Sequence, residues 1–145
     1  MDIVDKYQSR GFDCVCGNLR MAARAVTAVY DRHLRSTGLQ ASQLAVLWAV
    51  AGMQGASVKD IAAKIAMHDT ALVRNLRVLE GRGWVSVGVG TDRRQRLFSL
   101  TAEGRRVFAA ALPLWNQAQR EIASALDGGV EPMNARLLRL VRQVA

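Results

Sequence analysis

From Phe12 to Leu34, apolar side chains recur at Phe12, Val15, Leu19, Ala22, Ala23, Val26, Tyr30 and Leu34, in steps of three and four, with Arg20, Arg24 and Asp31 falling between them. That is the period of one face of a long amphipathic helix, and Gly38 marks its end. Gln40 to Met53 reads as a second helix, so rich in apolar residues (Leu44, Val46, Leu47, Val50) that it should be largely buried, with Gly52 and Gly55 stopping it. Ser57-Val58-Lys59-Asp60 has the form of a capping box with Asp in place of Glu or Gln, which predicts a short helix from Val58 to about Ala66. Asp69 or Thr70 can cap a fourth helix reaching about Gly81. Two short helices joined by a tight connection make a helix-turn-helix.

The period then changes. Trp84, Val85 and Val87, followed by Arg96 to Leu100, bracket a Gly-, Asp- and Arg-rich stretch from Gly88 to Gln95, the pattern of a β-hairpin. Thr101 is placed to cap a long helix from Ala102 to about Leu126, with a bend expected at Pro113, and Asp127-Gly128-Gly129 ends it. A last helix from Pro132 to Val144 carries Met133, Leu137, Leu140, Val141 and Val144 on one face. The fold class is mainly α with a small β-hairpin wing: four helices, a hairpin and two helices. A hairpin directly after a helix-turn-helix is a winged helix.

The chain has 145 residues, half of them apolar, enough for one compact unit with a real core. Its Lys and Arg, nearly all Arg, leave a formal charge of +8, which favours a polyanionic partner without choosing among DNA, RNA, acidic protein and membrane. Location decides. Arg74, Arg77, Arg82, Arg93, Arg94, Arg96, Arg105 and Arg106 face only Glu80, Asp92 and Glu103 in the same stretch, so the reading helix and the wing hold a local positive excess. Phosphate neutralisation there supplies non-specific affinity for duplex DNA, and a helix that fits the major groove supplies base contacts. No apolar run of about 18 residues occurs, and Met1 to Lys6 carries acids where a signal peptide needs a basic head, so a cytoplasmic protein is expected. Two cysteines only two positions apart do not make a secreted disulfide scaffold.

Met67 to Glu80 followed by Gly83-Trp84-Val85 resembles the recognition helix and first wing strand of the MarR family. Asp92-Arg93-Arg94 is similar to that family's wing tip, Leu100 to Gly104 to its LTxxG exit, and Gly38-Leu39 with Gln43 and Leu47 to its second helix. The resemblance runs from about Cys14 to Val144. It implies a DNA-binding transcriptional regulator, commonly a ligand-responsive repressor, that binds a pseudo-palindromic operator as a homodimer. Thr70, Ala71, Arg74 and Asn75, with His68 and Asp69 before them, are expected on the exposed side of the first turns, where side chains reach bases, and Arg77 nearer phosphate. The resemblance places Arg94 in the minor groove, beside Arg93, with Asp92 holding the wing through an ion pair. His68-Asp69 stand where the family often has Asp-Arg, Val73 and Gln40 where it often has Thr. These departures bear on operator sequence rather than on fold.

Reading two half-sites about 34 Å apart requires a two-fold partner. The stripes with Val4, Tyr7, Phe12, Val15, Leu137, Leu140, Val141 and Val144 are assigned to that interface. Residues 1–36 and 102–145 are then dimerisation helices, and 37–101 the DNA-binding lobe of one compact chain. A small aromatic or anionic effector is expected between them, near Arg20, Tyr30, Trp48 and Trp115. Cys14-Val15-Cys16 offers an alternative, a thiol-based redox or metal-sensing switch, although His33 and His68 stand at no ligand spacing to it. No HExxH, phosphate loop, GxSxG elbow or carboxylate pair appears, so neither catalysis nor a cofactor is expected.

Overall fold

A computed structural model describes residues 13–53 and 55–145. Helix α1 spans Val15–Leu34 and runs into a 3-10 turn, Arg35–Thr37, closed by Gly38 at φ 78°. Then come α2 (Ala41–Gly52), α3 (Val58–Ile65), α4 (Asp69–Gly81), strands β1 (Val85–Val89) and β2 (Arg96–Leu100), α5 (Ala102–Ser124) and α6 (Val130–Val144). This is the expected order, a winged helix flanked by long helices. Val4, Tyr7 and Phe12 lie outside the described residues.

The apolar α2 is the centre of the lobe: Leu44, Val46, Leu47, Ala49 and Val50 are buried, and the helix touches α1, α3, α4, α5 and β2. Against it pack Leu34, Ile61, Leu72, Leu76, Leu79, Val85, Phe98, Leu100 and Ala111, all buried, in one cluster. Two side chains start the helix. Gln43 Oε1 accepts from the Gln40 N–H at 3.0 Å, and Asp31 Oδ1, reaching over from α1, accepts from the Ala41 N–H at 2.7 Å. A carboxylate at a helix N-terminus both fills an orphan donor and complements the dipole.

The capping box of α3 forms: the Asp60 N–H donates to Ser57 Oγ at 3.2 Å, and Ser57 returns its own N–H to Asp60 Oδ2 at 3.2 Å. The hairpin is antiparallel, with Val85 opposite Leu100 and Val89 opposite Arg96. Ala56, just before α3, exchanges backbone hydrogen bonds with Phe98 of β2 at 2.8 and 3.0 Å, which ties the hairpin to the helix-turn-helix.

Three boundaries differ from expectation. The cap of α4 is neither Asp69 nor Thr70 but His68, whose Nδ1 accepts from the Thr70 N–H at 3.4 Å. Helix α6 begins at Val130, so Pro132 sits in its first turn, where a missing N–H costs nothing. Helix α5, with Pro113 inside it, ends at Ser124, short of the expected Leu126.

Candidate nucleic-acid interface

Helix α4 is held to the lobe by one face and free on the other. Leu72, Leu76 and Leu79, at steps of four and three, are buried, whereas Asp69, Thr70, Ala71, Arg74 and Arg77 are exposed. The turn before it is made by Ala66 in the left-handed region at φ 51°, and His68 is exposed. Asn75 departs from the expected outward face. It is half-buried, and its amide donates to the Met67 thioether at 3.6 Å, bracing the turn.

The arginines divide by what they touch. Arg82 donates to the Gly38 carbonyl at 2.5 Å and lies 5.0 Å from the centre of the Trp84 ring, so its charge fastens the end of α4 to the start of the lobe. Arg96 lies 3.8 Å from Glu80 and over Phe98, and Arg106 pairs with Glu103. The side chains of Arg74 and Arg77 on α4, and of Arg93 and Arg94 at the wing tip, make no hydrogen bond or ion pair with any described residue. Four cations on two adjacent elements are thus available to an outside polyanion.

The tip is shaped by its backbone. The Gly90 N–H donates to the Gln95 carbonyl and the Gln95 N–H to the Asp92 carbonyl, both at 2.9 Å. Asp92 Oδ1 accepts from the Arg94 N–H at 3.0 Å. Among the described residues this turn bond, not the ion pair anticipated from the sequence, is what Asp92 contributes, and it leaves the Arg94 guanidinium free.

The foot of the wing explains the Leu100 to Gly104 motif. Thr101 Oγ1 accepts from the Gly104 N–H at 2.9 Å and donates to the Gly83 carbonyl at 2.6 Å. Gly104 is buried with its Cα against the Trp84 carbonyl, and a Cβ there would overlap that oxygen.

Between the lobe and the long helices lies a cleft of about 430 Å³, lined by Tyr30, Leu44, Trp48, Lys64, Ile65 and Trp115 among others. Trp48 meets Trp115 edge-on at 5.2 Å and Phe108 at 5.8 Å. The Tyr30 hydroxyl donates to Gln119 Oε1, and burial pushes the phenol above its ordinary range, so it stays protonated. Tyr30, Trp48 and Trp115 therefore come together. Arg20 does not join them: ten residues from Tyr30, about 15 Å along the helix, it lines a separate depression with Arg24, Thr27 and Asp31. The cation at the cleft is Lys64, in the last turn of α3, which no local sequence signal singles out.

Cys14 and Cys16 are both exposed at the start of α1. Among the described residues no three His, Cys, Asp or Glu side chains gather as a metal site, and no helix is long and apolar enough to cross a membrane.

A sequence model of the MarR family matches residues 37–95, the lobe with most of its wing. The M. tuberculosis transcriptional regulator MosR, solved in complex with DNA, is similar at 33% identity and a TM-score of 0.81, over 90% of this chain and 96% of that one. The chain belongs to the MarR family. The transcriptional regulator HosA of Escherichia coli O111:H- is 29% identical over 122 residues, 83% of this chain and 89% of its own length. BpsR of Bordetella bronchiseptica, whose DNA binding is regulated by 6-hydroxynicotinic acid, shares the fold at 23% identity and a TM-score of 0.77, over 90% of this chain and 92% of that one. As a MarR-family member the protein is a DNA-binding transcriptional regulator with a winged helix-turn-helix.

Proposed function

We propose that this MarR-family regulator is a cytoplasmic repressor that binds a pseudo-palindromic operator as a homodimer and releases it when a small aromatic or anionic effector enters the cleft. Helix α4 enters the major groove, with Thr70, Ala71 and Arg74 toward base edges and Arg77 toward phosphate. The wing reaches the minor groove with Arg94, flanked by Arg93. The observation that carries this reading is the set of four guanidinium groups, on α4 and the wing tip, without a partner among the described residues. Residues 37–101 read DNA, while 1–36 and 102–145 hold the two copies together.

The test is fluorescence anisotropy with duplex DNA across a salt series. Arg94→Ala should weaken binding and flatten the dependence of log affinity on log salt by about one counterion. An unchanged slope would remove the wing from the interface.

The cleft's chemistry supports the effector class. Indole edges and apolar side chains suit an aromatic ring, and Lys64 suits an acid group on it. Because Lys64 belongs to α3 and Trp115 to α5, a ligand that draws the two together changes the angle at which α4 is presented, and only a ligand with unequal affinity for the two angles can release DNA. Lys64→Met should abolish the response to aromatic acids while leaving DNA binding in their absence intact.

The exposure of both Cys14 and Cys16 supports a second reading, in which oxidant or a thiophilic metal is the signal. Peroxide would then release DNA from the parent protein and not from the double Ser variant. Equal behaviour of the two proteins would dispose of it.

A further inference from the structure

Asp69 occupies the first position of α4 and is exposed, yet it is not the cap of the helix, since His68 Nδ1 is the acceptor for the Thr70 N–H. Its carboxylate makes no hydrogen bond or ion pair with any described residue. An unneutralised anion in the leading turn of a reading helix works against affinity wherever it faces phosphate. In the major groove, duplex DNA offers it a favourable neighbour at a base edge that presents an exocyclic amine there.

Adenine and cytosine both carry one. Adenine sets its N6 amine beside the N7 acceptor, whose lone pair opposes a second acceptor brought close to it. Cytosine presents its N4 amine without an acceptor of its own alongside. The rest of the turn suits a G·C-containing site as well, because Arg74 carries the paired donors that guanine O6 and N7 require.

We infer that Asp69 is a specificity-determining residue that accepts a hydrogen bond from the N4 amine of a cytosine in each operator half-site. The inference rests on α4 being the reading helix. It differs from the plainer role of a first-turn carboxylate, which complements the positive end of the helix dipole and needs no DNA.

The experiment is selection from random duplexes by the whole chain and by Asp69→Asn and Asp69→Ala, with thermal melting of each. The parent protein should fix a cytosine at one position of each half-site, and replacing that base should cost about tenfold in affinity. Asp69→Ala should keep the other preferences and lose that one. Asp69→Asn, whose amide can accept from N6 and donate to N7, should move the preference at that position to adenine. The asparagine variant decides the matter if the alanine variant proves too unstable to select. Identical preferences in the parent and Asp69→Asn would overturn the inference and leave the reading helix standing, with the carboxylate serving the helix dipole alone. A parent protein that selects no sequence would overturn both.

Discussion

At Gly104 the packing leaves no space for a side chain, because the obstacle is the Trp84 backbone, which cannot rotate away. Gly104→Ala should therefore push α5 off the wing at a cost of about 1–3 kcal/mol, the range for overpacked sites, seen as a melting temperature lower by several degrees. Ala66 poses the opposite case. Its φ of 51° puts an L side chain where about 1–2 kcal/mol of strain is usual, while glycine there loses about 0.5–1 kcal/mol of chain entropy. Ala66→Gly should leave stability unchanged or raise it slightly by the same measurement, and a clear loss would show that the Ala66 methyl contributes packing that outweighs the strain. The Leu100 to Gly104 motif was visible in the sequence, but its cause was not, since nothing local says that Trp84 crosses at that point. His68 as a cap was hidden for a similar reason: Asp69 and Thr70 are the stronger capping residues, and the helix start is set one residue earlier by the turn at Ala66.

Among the elements, the junction of α1 with α5 is a polar one. Arg32 and His33, in the last turn of α1, both meet the Glu121 carboxylate, and Tyr30 meets Gln119. Hydrogen bonds from Arg32, then His33, hold the Glu121 carboxyl below its ordinary range, and the Ser57 hydroxyl and N–H do the same for Asp60. A carboxyl depressed in the folded state contributes stability above its unfolded value and loses it as pH falls through the folded one. Melting temperature should thus hold across neutral pH and decline below the ordinary carboxylate range, about pH 4. Glu121→Gln should flatten part of that decline, and an unaltered acid profile would show that the pair is too solvated to matter. Helix existence and order were legible because 3.6-residue periodicity is strong in α1, α4 and α6, because α2 stands out as a nearly continuous apolar run, and because Thr101 announces the start of α5. The cleft was legible only in its aromatic half: Trp48, Trp115 and Tyr30 stand out by type, whereas Lys64 becomes relevant only because the packing of α3 against α2 brings it to the same cleft as Trp115.

For the molecule as a whole, α6 is the element that a single copy leaves unfinished. Leu137, Val141 and Val144 are 39%, 57% and 75% exposed on a helix whose main contact among the described elements is the neighbouring α5. A 15-residue helix gains little from local propensity alone. The proposed homodimer would cover this face with a second copy of the chain. Val141→Asp should shift sedimentation from dimer toward monomer and weaken operator binding together, whereas a parent protein that sediments as a monomer would refute the assignment.

The edge-to-face indoles of the cleft have a practical corollary. Two of the three tryptophans in the chain, Trp48 and Trp115, line it, and Trp84 lies apart beneath Arg82. Emission from this protein is therefore weighted toward that cleft, so the proposed effector site can be probed against a library of small molecules by quenching alone, unlabelled and without DNA.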